Sequence, residues 1–275
     1  MDYKRILTVQ DISCVGQCSL TVALPIISAC GIETAILPSA VLSNHTAFPD
    51  FTFCDLTGEM PAIIKEWDRQ NITFSDLYTG YLGNANQVEY VKTIMNSAIE
   101  TGGHKIVDPA MADMGRLYTG FDANYVEKMT ELCAEADIIL PNVTEACLMT
   151  DSLYHKELDK PFVEELLGKL WNRCGAKIIL TGVGFSDNTN GVAVFDGKKT
   201  EYYEHRLIGG GSHGTGDVYA SAFVGSLLSG KSLLDAAKIA ADFTVLCIEK
   251  TNQHPEHWYG VMFETQIDRL IEMIK

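Results

Sequence analysis

Apolar and polar positions switch between a strand period and a helix period along this chain, and the switches mark its elements. Arg5-Ile6-Leu7-Thr8-Val9 is a short, largely apolar run that predicts a buried strand. A polar turn through Gly16 follows, then an apolar helix over about 19–29, closed at Gly31. The pairing repeats with a strand at 33–38 and an amphipathic helix at 56–70, then a short strand at 77–81 and a helix at 87–100 ended by Gly102-Gly103. Further strands at 105–107, 138–140 and 177–180 are separated by helices at 124–134 and 162–174. The pattern then changes: residues 191–195, the turn Asp196-Gly197 and residues 200–205 predict a hairpin. Helices starting at Gly216, Ser232 and Glu264 complete the chain. Such alternation predicts an α/β three-layer sandwich, a mostly parallel sheet with helices on both faces and a hairpin extending one side. No repeat, low-complexity tract or linker interrupts it, so a single domain over 1–275 is expected.

Charge narrows the partners. Lys and Arg number 21 against 36 Asp and Glu, a net charge of −15, which argues against nucleic acid and against an anionic membrane surface. An anionic substrate therefore needs a locally positive site. No apolar run is long enough to span a bilayer, and a cytoplasmic location is the default expectation. The eight cysteines form no C-x-x-C pair, Cys14 and Cys18 being nearest, which predicts reduced thiols rather than a metal site.

Ligands of such sheets bind outside the carboxyl ends of the strands, so the chemistry is sought in the loops that follow them. Gly209-Gly210-Gly211-Ser212-His213-Gly214-Thr215-Gly216-Asp217 opens directly into a small-residue, apolar helix. Free backbone N–H groups beside the positive end of a helix dipole bind anions. A carboxylate there would weaken plain phosphate binding, so Asp217 fits better as a base taking a proton from an attacking hydroxyl; a helix cap is the plainer alternative. Asp108 and Asp113, five apart after the 105–107 strand, can converge on a hydrated Mg²⁺, or else serve as a turn initiator and a solvated surface residue. Asn142 and Glu145, three apart at a helix start, can face one metal or its water, but the same spacing is a capping box. Thr181-Gly182-Val183-Gly184 either lets backbone and hydroxyl approach a phosphate or is a tight turn. Jointly these loops point to phosphoryl transfer, which needs metal, phosphate donors and a base together.

The motifs also resemble a known family. Gly214-Thr215-Gly216-Asp217 followed by a small-residue helix resembles the carboxyl-terminal signature of the ribokinase-like superfamily. Ser43-Asn44-His45-Thr46, Thr79-Gly80-Tyr81, Asp108-Pro109 with Asp113, and Pro141-Asn142 with Glu145 resemble its pyridoxal kinase branch, in order and over nearly the whole chain. The resemblance implies an ATP-dependent kinase acting on the 5′-hydroxyl of a vitamin B6 vitamer, with Asp217 as base and the N–H groups of Gly214, Thr215 and Gly216 on the transferring phosphoryl group. It implies that Asp113, Asn142 and Glu145 organise Mg²⁺ and the ATP phosphates, directly or through water, with Asp108 in the same loop. Thr181 would touch the triphosphate, K⁺ would assist, Thr46 and Tyr81 would flank the pyridine ring, and Tyr118 would close over the site. A homodimer is implied on the same ground. Asp11 departs from the pattern, standing where relatives often present serine; when ionised it accepts hydrogen bonds but does not donate them, which tilts preference toward donor-bearing substrates such as pyridoxamine. Leu140 before Pro-Asn and Ala112 before Asp113 are further departures. His213 either adds charge near phosphate or is merely exposed, and His45 is expected to be structural. Another small-molecule kinase of the superfamily, such as one for hydroxymethylpyrimidine, and a non-catalytic B6-binding protein remain the alternatives. A nicotinamide dehydrogenase fits worse, because the turn after the first strand lacks G-x-G-x-x-G.

Overall fold

The computed structural model describes residues 3–209 and 213–275, so Gly210, Gly211 and Ser212 of the predicted anion loop lie outside the described residues. The chain opens with β1 (Arg5–Ser13), α1 (Leu20–Ala29) and β2 (Glu33–Leu42). A short strand β3 (Phe53–Asp55) then pairs antiparallel with β2 at the sheet edge. Helix α2 (Met60–Gln70) begins four residues later than the hydrophobic pattern suggested. Pro61 lies in its first turn, where a residue without an N–H costs no intrahelical bond. Next come β4 (Asp76–Thr79), α3 (Ala85–Ser97) and β5 (Lys105–Val107), then a small hairpin of β6 (Ala112–Asp113) and β7 (Arg116–Leu117). The chain continues through α4 (Ala123–Ala134), β8 (Ile138–Ile139), α5 (Val143–Met149), α6 (Lys160–Cys174) and β9 (Lys177–Thr181). The predicted hairpin is β10 (Thr189–Phe195) with β11 (Thr200–Arg206). Helices α7 (Thr215–Leu228), α8 (Leu233–Thr251) and α9 (Ile267–Ile274) close the fold.

One nine-stranded sheet runs β11-β10-β9-β8-β5-β4-β1-β2-β3. The six strands from β9 to β2 are mutually parallel, and antiparallel pairing is confined to the β10–β11 hairpin on one side and β3 on the other. Side chains alternate across the sheet as the strand pleat requires. Leu7, Leu77, Val107, Ile139, Ile178 and Leu180 pack into a layer with α2 to α6. Their neighbours Ile6, Tyr78, Ile106, Ile138 and Ile179 pack against α1, α7 and α8. Capping residues fix several helix starts: Asn84, Asp122, Asp159 and Ser232 each accept backbone N–H groups of the following turn. The sheet is the predicted mostly parallel, three-layer arrangement, and its strand order reverses at β1, between β2 and β4. The crevice beyond that reversal is where such sheets bind ligands.

Candidate active site

The carboxyl ends of β1, β4, β5 and β8 and the amino end of α7 bring a group of acids together. Asp11 near the end of β1 is 6% exposed, and the Ser13 hydroxyl donates to its Oδ2 at 3.2 Å. Burial pushes its carboxyl above the usual value of 3.8, while the hydroxyls of Ser19 and Ser13 oppose that shift. Tyr81 follows β4 and lies near enough to Asp11 for the acid to raise its phenol, after burial. Its ring leans on Phe121, with centroids 5.5 Å apart. Asp217, in the first turn of α7, is half-buried, and its carboxyl rises from 3.8 to about 7. Burial is the main cause; Asp108 and Asp11 add like charge, and the Ser19 backbone N–H opposes both. Asp108 is raised well above its ordinary range by burial and by the neighbouring Glu145. Asp217, at about 7, is poised to exchange a proton near neutral pH.

Glu145 sits at the centre of a rigid hydrogen-bond set. It is 2% exposed. Its Oε1 accepts from Met111 N at 2.9 Å and Ala112 N at 3.4 Å, and its Oε2 from Asn142 N at 2.9 Å. Asn142 Oδ1 accepts from Glu145 N at 3.0 Å, so the capping box is formed, and Asn142 Nδ2 donates to Ala112 O at 2.8 Å. The loop carrying Asp108 and Asp113 is thus tied to α5 through one acid and one amide. Burial lifts Glu145 to about 7, against the pull of those N–H groups. Asp113 is exposed and its Oδ1 accepts from Met114 N at 2.7 Å. The Thr144 hydroxyl accepts from Gly115 N at 3.0 Å, anchoring the β6–β7 turn. Tyr118, 43% exposed, has its phenol raised by burial and then by Glu145, Asp113, Asp108 and Asp217 in turn, which places it among four acids.

Gly214 caps α7 at φ 83°, and a Cβ there would stand 1.8 Å from the Gln17 carbonyl oxygen. No side chain fits in that position. Around Gly216, in contrast, a Cβ would meet nothing within 4 Å among the described residues. Thr181 bridges in parallel to Asn142, and its hydroxyl donates to Pro141 O at 3.4 Å. Thr46 is exposed and makes no side-chain hydrogen bond among the described residues. The adjacent His45 is buried: its Nε2 lies 2.6 Å from Tyr259 O, and Ala47 N donates to its Nδ1 at 3.2 Å. Both ring nitrogens of His45 are thus engaged by the backbone. His213 packs on it with centroids 5.1 Å apart, and burial with this neighbour lowers its pKa, opposing a cationic role at neutral pH.

The donor set suits a hard cation. Acids crowd together, each raising another, and among the described residues no lysine or arginine pairs with Asp108, Glu145 or Asp217. Among the described residues no three His, Cys, Asp or Glu side chains form a metal cage of their own. One or two carboxylates completed by water and phosphate oxygens is how Mg²⁺ is usually held.

Comparison with known proteins gives the class. Residues 67–262 match the phosphomethylpyrimidine kinase family. The chain belongs to that family. A Bacteroides thetaiotaomicron protein named for phosphomethylpyrimidine kinase and crystallised with pyridoxal is 35% identical, with 98% of this chain and 96% of that one covered and a TM-score of 0.92. Pyridoxal kinase of Lactobacillus plantarum is 29% identical, with 98% and 97% covered and a TM-score of 0.91. The hydroxymethylpyrimidine/phosphomethylpyrimidine kinase of Bacillus subtilis is 29% identical over 79% of this chain and 77% of its own. The fold is therefore ribokinase-like, and the chain is a kinase of the group that spans pyridoxal and phosphomethylpyrimidine kinases.

In this kinase the structure also gathers residues that the motifs did not single out. Ser19 is near enough to both Asp11 and Asp217 to oppose the rise of their carboxyls. The Cys18 thiol is pushed up by burial and by the same two acids. Tyr78, fully buried on β4, has its phenol raised by burial, Asp108 and Asp217; Ser221 and Gln10 lie beside it, but none of the three groups reaches good bonding geometry. Tyr78 lies in a strand too short for its spacing to mark one residue, and no spacing rule marks Ser19.

Proposed function

We propose that this kinase transfers the γ-phosphoryl group of ATP to the 5′-hydroxyl of a vitamin B6 vitamer. The observation that carries the reading is Asp217: a half-buried acid in the first turn of α7, raised to about 7, on the helix that Gly214 caps. In its ionised form Asp217 takes the hydroxyl proton as the oxygen attacks. Gly214, Thr215 and Gly216 hold the phosphoryl oxygens as charge develops on them. Asp113 and Glu145 would hold Mg²⁺, which supplies charge neutralisation on the phosphates when bound. Both Glu145 oxygens are engaged by backbone N–H groups, so its share is made through water and through its field, with Asn142 and Asp108 fixing the loop. Thr181 meets the triphosphate, with K⁺ assisting there; Thr46, Tyr81 and Asp11 receive the pyridine, and Tyr118 covers it. Little covalent work is asked of the protein beyond alignment and charge. The chain is taken as one kinase domain over 1–275, acting as a cytoplasmic homodimer.

The B6 reading draws support from the 35%-identical relative crystallised with pyridoxal. A second reading, hydroxymethylpyrimidine as acceptor, is favoured by the family match and by the Bacillus subtilis relative. ADP release with ATP, Mg²⁺ and K⁺ against pyridoxal, pyridoxine, pyridoxamine and hydroxymethylpyrimidine decides between them. A kcat/KM highest for a pyridine supports the proposal, and one highest for the pyrimidine overturns it. Tight vitamer binding without ADP release would make the chain a carrier.

A further inference from the structure

Ser19 holds φ 52° and ψ −127°. These angles match the first central position of a type II′ turn, which glycine fills because a Cβ is crowded there. A serine just before a helix is also expected to cap it. This one does not: its side chain makes no capping bond to α1, although its carbonyl accepts from Val22 N and Ala23 N at 3.0 and 2.9 Å. Ser19 thus carries backbone strain and gives up the usual benefit of its side chain at that position. Strain of this kind persists where the surroundings over-determine it, commonly at functional sites.

The surroundings of Ser19 are specific. It is 5% exposed and pairs antiparallel with Ile12, which closes the 13–18 loop on itself. The same loop is pressed by Gly214, whose missing Cβ makes room for the Gln17 carbonyl. The bridge to Ile12 sets Ser19 against the residue that follows Asp11, and the close approach of Gln17 to Gly214 sets the same loop against the start of α7, three residues before Asp217; Ser19 is near enough to both acids to oppose the rise of their carboxyls. One residue therefore stands beside both the acid that receives the ring and the acid that takes the proton.

We propose that Ser19 is a positioning residue whose strained backbone fixes Asp217 relative to Asp11, and so couples acceptor choice to turnover. The inference rests on the reading of Asp217 as base and Asp11 as acceptor contact. Strained serine to glycine is a substitution that a purely structural role would welcome, because glycine occupies these angles freely.

The test compares Ser19→Gly and Ser19→Ala with the unaltered enzyme, measuring kcat and KM for the three vitamers alongside thermal unfolding, with Asp217→Asn as a parallel control. Ser19→Gly should keep or raise the melting temperature and leave the KM for ATP unchanged, but lower kcat about tenfold, because the freed backbone no longer pins the loop beside Asp217. Ser19→Ala keeps the strain and the N–H but removes the hydroxyl from Asp11. It should leave the melting temperature unraised and change the ranking of vitamers more than their overall rate. Wild-type kcat and ranking in Ser19→Gly, with Asp217→Asn inactive, would overturn this inference alone. A lower melting temperature with an equal loss of rate on every vitamer would also overturn it, as that is the mark of a structural residue. Turnover by Asp217→Asn would remove the base reading, and the inference with it.

Discussion

Replacing Asp217 by asparagine should make the protein more stable and stop it working. The carboxyl rises from 3.8 to about 7 because it is buried and faces Asp108 and Asp11. At 1.36 kcal/mol for each tenfold change, holding it ionised in the folded state is unfavourable by about 4 kcal/mol as an order of magnitude. The sign follows from proton binding. Between about pH 4 and pH 7 the folded protein binds this proton and the unfolded chain does not, so the group's contribution to stability is complete below pH 4 and is lost as pH rises through 7. Asparagine keeps the size and has no charge to lose. Urea unfolding without nucleotide or divalent ion should show Asp217→Asn ahead of the wild type at pH 8 by up to about 4 kcal/mol, with the gap narrowing toward pH 4. Coupled ADP release should show kcat/KM of the wild type rising with pH through about 7, as a base that must be ionised requires, and no turnover by the variant. Equal urea midpoints at pH 8 and pH 4.5 would refute the electrostatic account, and near-normal turnover would refute the role.

Other outcomes follow from the same geometry. Gly214→Ala places a Cβ against the Gln17 carbonyl at φ 83°, so the glycine turn must shift; kcat should fall about 100-fold, read by ADP release, as expected for a displacement near 1 Å. Glu145→Gln turns one accepting oxygen into a donor that faces the N–H of Met111 or Asn142, and a urea midpoint should report a loss of about 1–3 kcal/mol. Tyr78→Phe removes a buried hydroxyl without a well-formed partner, so calorimetry should find stability unchanged or raised by up to about 1 kcal/mol. Chelating divalent ions should abolish ADP release, and Mg²⁺ should restore it, because a cleft of mutually repelling acids needs a cation to admit a triphosphate.

Periodicity and punctuation were enough to place the main strands and helices, because each buries one stripe or one face and the hydrophobic pattern records that directly. The sequence also determined the order of the loops that carry Asp108, Asn142, Thr181 and Gly214, and their glycine, proline and acid content. It left β3 and the β6–β7 hairpin unmarked: two- and three-residue strands have no period to show. It also left Asn142 and Glu145 open between capping and metal chemistry. The tertiary structure shows the cap made and, in addition, Glu145 gripping a loop more than thirty residues away in sequence. Only the folded chain could bring Asp11, Ser19, Asp108 and Asp217 into one another's fields. Their pKa values depend on burial and on charges from four separate segments, and neither is a property of local sequence. Residue types and spacing therefore set which chemistry is available, while packing decides which acid carries the proton.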